Sequence, residues 1–307
     1  MILCCGEALI DMLPRETTDG LAAFAPHPGG AVFNTAIALG RLGAPAGLFT
    51  GLSRDLFGQV LERALNASHV DHAVAVRSER PTTLAFVTLT EGHARYAFYD
   101  EGTAGRMLDV ADLPVLGASI SAMFFGGISL VAEPCGCAYE ALMLREAPAR
   151  AMMIDPNIRP GFITDEAAYR ARLGRMLVCA DIVKLSDEDL RWIDGAGDPA
   201  AQAREIIAKG PRVVILTEGA KGASGYTATH EVFVPAPSVT VADTVGAGDT
   251  FNAGFLCALH RNSVLTKSAL AGLSENTLRS ALSLGVHAAA VTVSRAGANP
   301  PRADELL

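Results

Sequence analysis

Asp243-Thr-Val-Gly246-Ala247-Gly248-Asp249-Thr-Phe-Asn-Ala-Gly254 is the stretch on which the fold of this 307-residue chain turns. Three small residues stand where a helical pattern over 247–260 begins. Small side chains let backbone N–H groups converge on an anion without interference from Cβ atoms. The helix N-terminus adds partial positive charge at the same point. Asp249 then falls in the first helical turn, beside that anion site. Phosphoryl transfer from a nucleotide to an alcohol needs such a pair, an N–H cradle for the moving charge and a carboxylate that accepts the hydroxyl proton. Taken alone, the same residues also describe a glycine turn followed by an ordinary first-turn acid.

Outward from this stretch the chain alternates between strand and helix patterns. Strands are expected near 2–5, 46–51, 72–76, 120–126, 151–154, 181–185 and 212–217, with a hairpin at 222–227 and 231–235. Helices are expected near 31–42, 55–66, 134–147, 165–178, 198–209, 247–260 and 274–292. The alternation predicts an α/β fold, a mainly parallel central sheet with helices on both faces. Two interruptions stand apart. Residues 12–28 carry Pro14, Gly20, Pro26 and Pro28 and read as turns and exposed extended segments. Residues 81–103 hold two strand patterns, Thr82–Thr90 and Ala94–Tyr99, joined by Glu91-Gly92-His93. Together they predict a small β lid, leaving 1–11, 29–80 and 104–307 as the α/β core. Ligands of open α/β sheets gather outside the carboxyl ends of the strands, where these motifs fall.

Composition narrows the classes. Half of the residues are apolar and 19% are charged, which suits a packed core. A net charge of -8 argues against a nucleic-acid surface, which needs clustered Lys and Arg. The short apolar start is broken by Glu7 and Asp11, no stretch suits a membrane span, and a cytoplasmic location is expected. The six cysteines lack zinc spacing and read as buried, reduced thiols. No Gly-x4-Gly-Lys-Ser/Thr loop occurs, and Phe251 stands where a dinucleotide fingerprint needs its third glycine.

Gly246-Ala-Gly-Asp-Thr-Phe-Asn-Ala-Gly254 resembles the C-terminal signature of ribokinase-like (PfkB) carbohydrate kinases. Their early signature is matched by Gly29-Gly-Ala-Val-Phe-Asn34-Thr-Ala, with Gly40-Arg-Leu-Gly43 after it. Gly6-Glu-Ala-Leu-Ile-Asp11, Asp155-Pro-Asn-Ile-Arg-Pro160, Lys184-Leu-Ser186-Asp-Glu-Asp189, Thr217-Glu-Gly219-Ala-Lys-Gly222 and Arg295-Ala-Gly-Ala-Asn-Pro-Pro301 follow in family order over nearly the whole chain. The resemblance implies ATP with Mg²⁺, Asp249 as the base, and Gly246, Ala247 and Gly248 as the anion hole with Arg159 beside the transferred phosphate. It implies Asp11, Gly29, Gly30 and Asn34 on the sugar hydroxyls. It puts Ser186, Asp189, Thr217, Gly219, Gly222 and Gly248 at the nucleotide. Ser186 and Asp189 stand where relatives carry Asn and Glu; both are shorter, so a contact with Mg²⁺ is expected through water.

The resemblance also implies a K⁺ ion near Asp243, Val245, Thr292, Arg295 and Gly297, with Pro301 where some relatives offer a serine. Among members of the family, the segments around Asn34, Tyr96–Thr103 and Arg295–Pro301 are most similar to bacterial fructokinases. Fructose phosphorylated on its 6-hydroxyl is therefore expected, with Phe98 and Thr103 covering the sugar. The alternative, 2-keto-3-deoxygluconate, carries a carboxylate that Asp100 would repel if it faced the pocket. A sugar- and nucleotide-binding regulator without catalysis is the distant alternative. A homodimer through the lid sheet is the expected assembly.

Overall fold

The structure, a computed structural model, describes residues 1–90 and 93–306. The Glu91-Gly92 joint of the expected hairpin lies outside the described residues. In chain order the strands are β1 (Ile2–Cys5), β2 (Leu9–Glu16), β3 (Ala22–Gly29), β4 (Ala46–Phe49), β5 (Gly51–Ser53), β6 (Val70–Asp71), β7 (Val76–Ser78), β8 (Leu84–Thr90), β9 (His93–Tyr99), β10 (Ala122–Gly126), β11 (Ala151–Asp155), β12 (Ile182–Ser186), β13 (Val213–Thr217), β14 (Gly222–Tyr226) and β15 (Glu231–Pro235). The helices are α1 (Ala31–Arg41), α2 (Leu56–Ala67), α3 (Cys135–Glu146), α4 (Glu166–Cys179), α5 (Asp187–Asp194), α6 (Pro199–Ala208), α7 (Ala247–Arg261), α8 (Lys267–Leu270) and α9 (Glu275–Val293).

Nine strands form the large sheet in the order β15-β14-β13-β12-β11-β10-β1-β4-β6. The run from β13 to β6 is parallel and the β13–β14–β15 edge is antiparallel. The inner strands β1, β4, β10 and β11 are buried along their whole length, as expected where helices cover both faces. Edge strand β15 instead alternates between exposed and buried residues. Two apolar cores lie on the two faces, one with α1, α7 and α9, the other with α3 and α4. From β1 the chain adds β4 and β6 on one side, then returns to build β10 to β13 on the other. The crevice at the ends of β1 and β10 is the topological switch point, where open α/β sheets hold ligands.

A second sheet orders β3-β2-β8-β9, with β2 parallel to β8 and the other pairs antiparallel. The segment expected as turns and loose extended chain is thus a paired hairpin. β2 begins at Leu9, before the expected boundary at residue 12, and carries Asp11 into this sheet. The strand expected at 72–76 is corrected. Pairing falls instead at β6 and at β7, which forms a separate two-stranded sheet with β5. The five residues predicted as one strand bridge two different sheets. The cysteine reading also needs correction: all six are free, but Cys137 is exposed and Cys179 partly so. Among the described residues no helix is long and apolar enough to cross a membrane.

Candidate active site

Two helices begin on a positive-φ glycine in place of a capping side chain. α2, α4, α6, α8 and α9 each start on an Asp, Ser or Thr whose side chain accepts a backbone N–H, the ordinary way to satisfy a first turn. α1 and α7 start on Gly30 and Gly246, with φ of 101° and 76° and no side-chain cap. Both glycines hold left-handed backbone, and a Cβ on Gly246 would sit 2.7 Å from the Cβ of Ala298. The first amide of α1 is taken by Glu7, whose Oε1 accepts Ala31 N–H at 2.9 Å. At α7 the Gly248 and Asp249 amides have no carbonyl to pair with inside the helix. This end meets a chamber of about 290 Å³ also lined by Asp11, Asn34, Asp155, Arg159 and Lys184.

Asp249 is 8% exposed and lies in the first turn of α7. Its Oδ2 accepts Asn34 Nδ2–H at 2.9 Å, and its carbonyl accepts the Thr35 hydroxyl at 3.3 Å. Burial pushes its pKa up to about 7, reinforced by the Asp155 and Glu7 carboxylates and opposed by the Asn34 hydrogen bond and the Lys184 ammonium. Asp11 projects from β2 into the same chamber, and burial raises it to about 6. Gly29 leaves the room it needs, since a Cβ there would overlap the Asp11 carboxylate. Gly30 does the same for the Glu7 carbonyl, 3.0 Å from where its Cβ would stand.

Below the cradle lies a charge network that sequence reasoning left without a role. Lys184 on β12 is 4% exposed and donates to Asp155 Oδ2 at 2.9 Å. Asn252, one turn along α7, donates to the same oxygen at 2.7 Å. A Cβ on Gly248 would be 3.3 Å from the Lys184 ammonium, so that charge sits directly against the α7 N-terminus. Burial works to lower the Lys184 pKa, but Asp155, Asp189 and Asp249 together hold it above its ordinary value. Asp155 Oδ1 and Asn252 Oδ1 are buried with no hydrogen-bond partner among the described residues. A signal existed. A lysine inside the otherwise apolar strand Ile-Val-Lys-Leu is costly unless paired, and the paired acid ends the neighbouring strand. Glu7 was missed likewise. It is 8% exposed, accepts from Ala31 and Ser129 amides, and is raised by burial.

Other expected residues fall less directly. Asn157 takes φ 46° and turns the chain after β11, leaving Arg159 exposed at the chamber mouth with Nη1 on the Ile158 carbonyl. Ser186 pairs in register with Thr217, extending the sheet edge away from Lys184, and Gly219 and Gly222 form the positive-φ turn beyond. Asp189 is buried, and both of its oxygens are held by the protein. One oxygen accepts the Ser186 amide and hydroxyl at 3.0 and 2.7 Å, and the other accepts Ile158 N–H at 2.7 Å. The shorter acid caps α5 and anchors the Asp155–Arg159 turn. The Thr103 hydroxyl bonds Thr83 Oγ1, just before β8, and the Asp100 carbonyl of its own loop; Thr103 does not line the chamber, whereas Phe98 does. Asp100 pairs with Arg106 at 2.9 Å and lines the neighbouring cavity, not the chamber.

At the expected cation site the Asp243 carboxylate ties two loops, accepting Val245 N–H at 3.0 Å and Gly297 N–H at 2.9 Å. Thr292 is buried at the same junction and bonds Thr250 at 3.0 Å, while the Arg295 guanidinium turns away to Glu305 at 2.6 Å. Among the described residues there is no group of three or more His, Cys, Asp or Glu that could hold a metal.

A family model described as pfkB family carbohydrate kinase matches residues 1–305. A fructokinase of Rhizobium leguminosarum bv. trifolii is 56% identical over 279 residues, covering 91% of this chain and 86% of its own. The crystal structure of Xylella fastidiosa fructokinase with bound ATP is similar with a TM-score of 0.90 at 29% identity, over 99% of this chain and 96% of that one. Salmonella enterica aminoimidazole riboside kinase, complexed with aminoimidazole riboside and an ATP analogue, has a TM-score of 0.84 at 25% identity, over 99% and 97%.

Proposed function

Since the chain belongs to the pfkB family of carbohydrate kinases, we propose that it transfers the terminal phosphoryl group of ATP to the 6-hydroxyl of fructose. One observation carries the chemistry: the uncapped, glycine-led N-terminus of α7 with a buried carboxylate in its first turn. Identity of 56% to a fructokinase supports the choice of sugar.

The sugar rests against Asp11 and Asn34, groups that accept and donate to hydroxyls. Asn34 also holds the Asp249 carboxylate toward the reacting oxygen. With its pKa raised to about 7, Asp249 is a stronger base than an ordinary aspartate yet still ionised in part at neutral pH. It takes the hydroxyl proton as the oxygen bonds to phosphorus and the bond to ADP breaks. Charge on the transferred group meets the Gly246–Gly248 backbone, the helix end and the Lys184 ammonium. Arg159 offers forked donors from the mouth.

ATP lies along the sheet edge from Lys184 through Ser186 and Thr217 to the Gly219–Gly222 turn. Mg²⁺ bound with the phosphates would supply positive charge against theirs. The orphaned Asp155 and Asn252 oxygens face no protein donor and suit bound water. The loops that Asp243 ties together would hold K⁺, whose charge would help to order the cradle. The sheet of β3, β2, β8 and β9 acts as a lid over the core and as a dimer surface. Its exposed Leu21, Phe24 and Tyr99 and the edge-to-face row Phe24–Phe86–Tyr99 support that role. A cytoplasmic location fits all of these substrates.

The test is a coupled ATP-to-ADP assay with Mg²⁺ and K⁺ across fructose, glucose, mannose, ribose, adenosine and 2-keto-3-deoxygluconate. Fructose should give the highest kcat/KM; preference for the keto-deoxy acid would overturn the sugar while keeping the mechanism.

A further inference from the structure

Beside the chamber of about 290 Å³ lies a larger cavity of about 900 Å³. These sizes stand near the lower and upper ends of ordinary small-molecule pockets, roughly 300–1,000 Å³. Glu7, Phe98, Ile128, Arg159 and Phe162 line both, so they are the wall between them. Two members of that wall come from opposite sides of the cleft. Phe98 belongs to β9 of the small sheet, and Phe162 to the turn that follows Asp155–Arg159. Their rings meet edge to face, with centroids 4.2 Å apart and planes at 86°.

The other wall residues offer less to remove. Glu7 is fastened by the Ala31 and Ser129 amides, and Arg159 is exposed. Phe162 is half-buried on a short turn, and its ring is the core's contribution to the partition. The cavity beyond is not purely apolar. Tyr169 lines it, is 2% exposed, and its hydroxyl has no partner among the described residues. Arg172, 5% exposed, lines it as well.

We propose that Phe162 is a specificity-determining residue: packed on Phe98, it closes the chamber to acceptors larger than a single sugar ring. Its removal joins the two cavities and admits an acceptor that carries a second polar ring. The inference rests on the sugar kinase reading above. It concerns the size limit of the acceptor and not the chemical step, which Asp249 and the α7 cradle perform on either acceptor.

The experiment measures kcat and KM for fructose and for aminoimidazole riboside in the wild type, Phe162→Leu and Phe162→Ala. Pocket contacts of one methylene already discriminate by about tenfold or more, so loss of a whole ring should shift preference at least that far. The ratio of kcat/KM for fructose to that for the riboside should fall about tenfold or more in Phe162→Ala and less in Phe162→Leu. The gain should come through a lower KM for the riboside. A ratio that stays the same in both variants, or equal losses on both acceptors, overturns the proposal. If Phe162→Ala fails to fold, the ratio in Phe162→Leu decides in the same way. Wild-type turnover of the riboside with none of fructose would refute the sugar assignment instead, leaving the change in riboside KM to judge the partition.

Discussion

Replacing Asp249 by Asn should make the unliganded protein more stable, and only toward neutral and alkaline pH. Burial holds this carboxyl at about 7, against 3.8 for an ordinary aspartate. Between those values the folded chain keeps a proton that the unfolded chain releases. Stability therefore falls as pH rises through that window, and the full cost is reached above pH 7. At about 1.4 kcal/mol for each pH unit, the cost comes to about 4 kcal/mol. An Asn of the same shape carries no charge and can still accept from Asn34 Nδ2, so it removes that cost without opening a cavity. With unfolding entropy of roughly 2.1 cal/mol/K per residue, a chain of this length should gain about 6 °C in Tm at pH 8. At pH 4 the two proteins should melt together. Thermal scans of both proteins from pH 4 to 8 provide the assay. A variant that melts at or below the wild type at pH 8 would refute the claim that the site holds Asp249 in a costly state.

Three further outcomes follow from the same geometry. Lys184→Met strands the Asp155 carboxylate, 2% exposed, and should cost about 3–5 kcal/mol in urea unfolding, with partial recovery on adding Asp155→Asn. Unfolding at the wild-type midpoint would contradict the pairing. Replacing K⁺ by Na⁺ at equal ionic strength should lower kcat through a looser Gly246–Gly248 loop, and equal rates would remove K⁺ from the account. Light scattering should give a dimer for the wild type and more monomer for Tyr99→Glu, whose 63% exposed ring lies on the small sheet; a monomeric wild type would end the dimer reading.

What the sequence made legible followed from local chemistry. The start of α7 could be placed because three small residues and an acid admit few backbone arrangements, and α1 because its apolar positions recur at helical spacing up to Gly43. Strand order could not be read, since the register that sets Asp155 beside Lys184 depends on long-range pairing. The strand expected at 72–76 failed because short apolar stretches do not say which sheet they join. The partners of Asp189 were hidden for a different reason. Motif position suggested a ligand, while a side chain one carbon shorter than Glu reaches only its own helix cap and Ile158 N–H. Thr103 bonds both its own turn and the distant Thr83, a pairing that local spacing does not reveal. The Phe98–Phe162 contact joins a strand of the small sheet to the turn after β11 and left no trace in spacing.

The measurement that bears most directly on the central claim is fructose turnover in Asp249→Asn, with the fructose Kd determined alongside by calorimetry. A loss of about a hundredfold or more in kcat is expected, with the fructose Kd almost unchanged because Asp11 and Asn34 remain. Turnover near the wild-type rate would contradict it and remove Asp249 as the base.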